Sequence, residues 1–194
     1  VNKSTITING GRNTVVMHPM RQHNVKIHPP SNPFYDSIGS GGYNCCTGWT
    51  VSDGSPIGTE YTPANQFVSL KSGAVHKVSV GYGYVTGTNG GTVILDKDCS
   101  NLPCGVVDKT NICKGNVSNL PTFGSTSTTV VTIKCKKGKK LKKGANYWVY
   151  VQTPANTWNA WNLSNSALGG FVEGTNDVWG SYSSGANEAA MTIQ

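Results

Sequence analysis

Asn146 to Asn162 reads NYWVYVQTPANTWNAWN, and this stretch decides the fold. Tyr147-Trp148-Val149-Tyr150-Val151 is β-branched and aromatic with no breaker, which suits a pleated, half-buried surface and suits a helix poorly. Thr153-Pro154-Ala155-Asn156 reads as a turn, because proline presets one dihedral and asparagine tolerates the left-handed region. Trp158 and Trp161 follow beside Asn159 and Asn162, so three of the five tryptophans fall within 14 residues. Trp148 is expected to anchor the core. Trp158 and Trp161 are three apart, and in a strand such residues point to opposite faces. One of the two is therefore expected to be exposed or at a rim.

The chain around this stretch agrees with it. Its 194 residues make one large domain, or one domain with an arm, long enough to bury a sizeable core. Glycine is abundant, charged residues are only 13% of the chain, and no window carries a sustained helical apolar spacing. The expected fold is all-β: a single antiparallel β-sandwich over residues 34–194, preceded by an extended β arm and Pro-rich tether over residues 1–33. In the arm, Thr5-Ile6-Thr7-Ile8 and Thr14-Val15-Val16-Met17 are two strands around the turn Asn9-Gly10-Gly11. Further strands are expected at 46–51, 66–70, 75–85, 92–95, 105–112, 128–135, 147–152, 171–173 and 190–193. In the longest run, Val78, Val80, Tyr82 and Tyr84 share one face.

Six cysteines point to an oxidising compartment, and with it to a secreted or cell-surface protein. Many pairings are open to six cysteines. Spacing ranks the local ones first: Cys45–Cys46, Cys99–Cys104 and Cys113–Cys135. The start at Val1 without Met is what signal removal leaves, and a recombinant start explains it equally. No stretch has the length and hydrophobicity of a membrane span.

From Tyr43 to Gln194 the chain also resembles a known family. The runs GYVTGTNGGTVILDKD, LPTFGSTSTTVVTI and NYWVYVQTPANTWNAWNLSNS carry the likeness. So does the order of a Gly48-Trp49 strand, a Thr62-Pro63-Ala64 turn, a GTN turn, an acidic-tipped loop, an FGST stretch and an Ala160-Trp161-Asn162 strand. These are similar to the choice-of-anchor R domain of secreted bacterial proteins. The resemblance implies a jelly-roll-like β-sandwich displayed outside the cell and supplies no reaction. The histidine-rich arm, the cysteine pairs and the lysines depart from the family pattern.

Several constellations are candidates for function. Lys134, Lys136, Lys137, Lys139, Lys140, Lys142 and Lys143 lie within ten residues and equal the whole formal charge of +7. They read as a basic tip for anionic polymers or as a solvated turn that guards a sheet edge. Without arginine or interleaved aromatics the run has no platform for bases, so no specific nucleic-acid binding is expected. His18, His23 and His28, with Met17 and Met20, are ligand types for Cu or Zn, although their spacing matches no standard zinc pattern. Asp96 and Asp98 open a stretch with oxygen ligands at alternate positions, as a Ca loop does, without the glycine and glutamate that complete one. Trp158, Trp161 and Trp179 with Asn159 and Asn162 are glycan-binding candidates, since aromatic faces stack on sugars while amides bond hydroxyls. Asn2, Asn116 and Asn162 open N-glycan acceptor patterns.

No HExxH or GxSxG motif is present, and Asp36, Glu60, Glu173 and Asp177 are the carboxylates a glycosidase would draw on. The expectation is therefore a non-enzymatic extracellular structural or adhesive subunit that needs no cofactor. Its arm would add as a strand to a neighbouring copy and build an oligomer or filament. The alternatives are a carbohydrate-binding module and a metal-binding surface protein.

Overall fold

The structure is a computed structural model that describes residues 6–9, 14–17, 24–25, 32–39, 42–105, 111–125, 130–136, 139–175 and 178–194. The described chain is all-β. In order its strands are β1 (Ile6–Asn9), β2 (Thr14–Met17), β3 (Asn24–Val25), β4 (Tyr35–Asp36), β5 (Tyr43–Asp53), β6 (Glu60–Val68), β7 (Gly73–Ala74), β8 (Lys77–Val80) and β9 (Tyr82–Thr86). They continue as β10 (Gly90–Lys97), β11 (Cys113–Ser118), β12 (Val131–Lys134), β13 (Lys140–Leu141), β14 (Asn146–Gln152), β15 (Trp158–Thr175), β16 (Val178–Trp179), β17 (Ser183–Ala189) and β18 (Met191–Ile193). One sheet runs β1-β2-β5-β15-β6-β14-β10-β11, with β3 on β5 and with β9, β16 and β17 on β15. A second runs β12-β8-β18-β4, and β13 pairs with β7.

The opening stretch supplies the middle of the large sheet. In β14, period-two alternation divides the side chains between two buried clusters. Tyr147, Val149 and Val151 face the main core, while Trp148 and Tyr150 face a smaller cluster with Ala64, Ile94 and Val172. The main core also holds Val78, Val80, Ile133, Met191 and Ile193 from the four-stranded sheet, so the two sheets pack face to face through it. This layering fits a β-sandwich. Trp148 is fully buried, and its indole N–H donates to Asp98 Oδ1 at 2.7 Å.

β15 extends the second half of the stretch into a strand of 18 residues. Trp158 to Trp161 lie against β9 and Trp158 to Ser164 against β5; Gly170 to Gly174 lie against β6. Register shifts between Asn162 and Ser164, and between Leu163 and Leu168, let the strand bend from one set of neighbours to the other. The turn before it is tied down: the Asp53 carboxylate accepts the backbone N–H groups of Asn156 and Thr157, and Asn156 sits at φ 56°.

Three disulfides are present, and they are the pairs that spacing ranks first. Cys45–Cys46 lies within β5 and Cys99–Cys104 closes the loop after β10. Cys113–Cys135 joins β11 of the large sheet to the end of β12 of the small one.

Other expectations need correction. Thr62-Pro63-Ala64 is not a turn but part of β6. Pro63 is tolerated there because β6 pairs with β14 only from Ala64 onward, and at Pro63 it has β15 alone as partner. The run from Val75 to Val85 is two strands in two sheets, separated at Gly81, although Val78, Val80 and Tyr82 do share the main core. The strand expected at 105–112 falls largely on residues 106–110, outside the described residues, and the pairing strand there is β11. β17 was not anticipated, because SSGANEA lacks the β-branched and aromatic signal and is held by pairing with β15.

The leading segment pairs within its own chain. β1 and β2 form the expected hairpin, and β2 lies on the outer edge of β5 through Thr14↔Trp49, Val15↔Gly48 and Val16↔Thr47. β3 continues along the same edge at Asn44 and Tyr43. β2 and β3 therefore lie on a strand edge of the arm's own body. Thr5 lies outside the described residues.

Candidate functional site

The outer face of β6, β10 and β14 is not fully roofed. Tyr150 and Gln152 of β14, Ile94 of β10, Thr62 at the start of β6 and Lys114 of β11 form the floor and one side of a cavity of about 360 Å³. Glu60, Gly105 and Asn111 line it further, and Trp179 of β16 closes the opposite side beside Gly174. β16 is held there by pairing with the end of β15, Gly174 opposite Trp179. The indole meets the Tyr150 ring edge-on, with centroids 5.8 Å apart and an 82° angle. Trp179 remains half-buried, so part of its ring faces the cavity.

Behind the groove the loop after β10 is drawn tight. The buried Asp96 carboxylate accepts the N–H of Lys97 at 2.8 Å and the N–H of Gly105. A Cβ on Gly105 would lie 2.6 Å from Asp96 Oδ2 and 3.1 Å from the Tyr150 hydroxyl, so only glycine permits this approach. Burial, and then the charge of Asp96, push the Tyr150 hydroxyl well above its ordinary value, and it stays protonated as a donor. The groove thus offers an indole, a phenol, two amides, an ammonium and a carboxylate. That inventory suits a polyhydroxylated ligand with an apolar ring face.

Of the glycan-binding candidates read from the sequence, Trp179 alone reaches this groove. Trp158 and Trp161 do point to opposite faces, but neither is exposed. Trp161 is in the main core with its N–H donated to the Ala190 carbonyl at 3.0 Å, and Trp158 packs with Phe123 and Ala160 at 9% exposure. The Asn159 amide donates to the Tyr82 hydroxyl at 3.0 Å and the Gly90 carbonyl at 2.8 Å. The Asn162 amide donates to the Asn44 carbonyl at 2.9 Å. These four side chains are structural because both faces of their strand are covered, one by the main core and the other by Phe123, Ile57 and Val85. The same burial removes Asn162 as a glycan acceptor. Tyr150, Gln152, Asn111 and Lys114 were missed. None of them carried a local signal, since YWVYV is apolar throughout and marks no outward-facing residue.

The other candidates disperse. Asp98 accepts from Trp148 and from Gln66 Nε2 at 2.8 Å, and Asp96 from backbone N–H groups, so both carboxylates are committed to donors that a cation would displace. This donor set does not fit a Ca site. His18, His23 and His28 lie outside the described residues; among those described, no group of three or more His, Cys, Asp or Glu is placed to hold a metal. Asp36 accepts the N–H groups of Ile38 and Gly39 and the Thr192 hydroxyl. Glu60 borders the groove, Glu173 borders a second cavity of about 350 Å³ beside the stacked Trp49 and Phe171, and Asp177 lies outside the described residues. Lys134, Lys136, Lys139, Lys140, Lys142 and Lys143 are exposed, and Lys137 lies outside the described residues. No helix among the described residues is long and apolar enough to cross a membrane. No protein-family model matches the chain, and no curated protein matches it.

Proposed function

We propose that this protein is a non-enzymatic adhesive module of the cell exterior, a jelly-roll-like β-sandwich that holds a carbohydrate chain in the groove between Trp179 and Lys114. The observation that carries the reading is the half-buried Trp179, set edge-on to Tyr150 in a polar cavity of about 360 Å³. Three disulfides support a place in an oxidising, extracellular setting. The resemblance of the sequence runs to choice-of-anchor R domains is in keeping with display at a surface. Tryptophan fluorescence titrated across a panel of neutral and acidic oligosaccharides tests the reading. At least one class should bind, and Trp179→Ala should weaken it about tenfold, the scale of one lost aromatic contact. An unresponsive panel, or a Trp179→Ala protein that binds as the parent does, refutes it.

A second reading, assembly through the sheet edge, rests on β1. It is the terminal strand of the large sheet, and its outer edge has no strand partner among the described residues. Copies joined edge to edge, or exchanging the hairpin at β5, would form oligomers or filaments. Negative-stain imaging should then show assemblies that vanish when residues 1–28 are removed. A full-length chain that stays monomeric at high concentration excludes this reading.

A further inference from the structure

The groove does not end at Lys114. A second depression of about 260 Å³ is lined by Asn111, Ile112, Cys113, Lys114, Lys136 and Lys139. It shares Asn111 and Lys114 with the groove. Its described lining contains three lysines and no carboxylate. Two of them are brought together by a covalent bond. Lys114 directly follows Cys113 and Lys136 directly follows Cys135, and the disulfide holds those cysteines with Cα atoms 5.1 Å apart across a sequence separation of 22. Just upstream, Lys134 of β12 stands directly opposite Lys77 of β8 in the antiparallel register. Like charges placed so are unfavourable unless an anion lies among them.

We infer that this site takes an acidic polysaccharide: a sugar ring lies against Trp179 and Tyr150 while a uronate carboxylate or sulfate of the same chain sits among Lys114, Lys136 and Lys139. The inference rests on the groove reading above and adds the ligand's charge and direction. Glu60 borders the groove, and the lysines line the depression beyond Lys114, so the acidic group enters at the lysine end. Lysine suits this role as a compact point charge that accepts carboxylate or sulfate without a fixed fork. Nucleic acid shares the negative charge, but the three lysines have no aromatic beside them within the depression on which bases would stack.

The test uses the full chain with its disulfides intact. Binding is measured by calorimetry against polygalacturonate, heparin, a neutral glucan and duplex DNA, at low and at high salt. The expected result is at least tenfold tighter binding of polygalacturonate or heparin than of neutral glucan and of DNA, with most of that preference lost at high salt. The combined variant Lys136→Gln and Lys139→Gln, whose side chains line the depression and not the groove, should lose about tenfold on the acidic polymers and leave neutral-glucan binding unchanged. Trp179→Ala should weaken both classes. Equal binding of neutral and acidic glycans overturns the inference and leaves the groove reading standing. Binding of neither overturns both. DNA bound as tightly as the acidic glycans, or acidic binding that survives the double glutamine variant or Trp179→Ala, overturns the inference by showing charge attraction without the site.

Discussion

Glu188 gives the sharpest quantitative test of the fold. It is fully buried on β17; one carboxylate oxygen accepts a short hydrogen bond from the Tyr35 hydroxyl, and the other has no partner among the described residues. Burial pushes its carboxyl from 4.5 up to about 7, against a smaller downward pull from the Tyr35 hydrogen bond. The folded state therefore keeps a proton that the unfolded chain releases. Stability from this group is complete below the unfolded value of 4.5 and is lost as pH rises through about 7. At about 1.4 kcal/mol for each pH unit between the two values, the loss is about 3 kcal/mol. For a chain of this size that is a fall in Tm of roughly 6–12 °C. Glu188→Gln cannot ionise and still presents an oxygen to Tyr35, so its Tm should change little over the same window. Calorimetric melting of both proteins between pH 5 and pH 8 measures the difference. A parent protein as stable at pH 8 as at pH 5, or a Glu188→Gln variant that keeps the parent's slope, refutes the burial argument.

Two further outcomes follow from the backbone and the disulfides. Gly87 has φ 95°, and a Cβ there would lie 2.1 Å from the Asn156 carbonyl oxygen, so Gly87→Ala should cost about 1–3 kcal/mol, read as a lower urea midpoint. Replacing both Cys113 and Cys135 by serine opens a loop with a sequence separation of 22 and should cost about 3 kcal/mol in the same assay; an unchanged midpoint would show that the sheets are held without the staple.

An unbroken β-branched and aromatic run made β14 legible in the sequence, because strand propensity is a local property. Only the packing assigned Tyr147, Val149 and Val151 to the main core and Trp148 and Tyr150 to the smaller cluster. The turn at Asn156 was likewise legible, since proline and asparagine act on their own dihedrals. Disulfide spacing worked because all three pairs are close in sequence. Local chemistry does not report depth. Trp161 and Trp179 are the same residue type in similar company, yet one is enclosed by the main core and the other borders a cavity, because burial depends on what packs above. Nor does it report who pairs with whom: the TITI and TVVM alternation marked a hairpin but not that its edge would lie on β5 of the same chain. The lysine run was plain to read, while Lys114 sat apart from it until the bond between Cys113 and Cys135 brought the two charges side by side. Composition and local propensity determined the class and several of the strands. Long-range packing alone decided which polar and aromatic groups converge, because a site forms where distant segments meet, and contact between them is a property of three-dimensional distance.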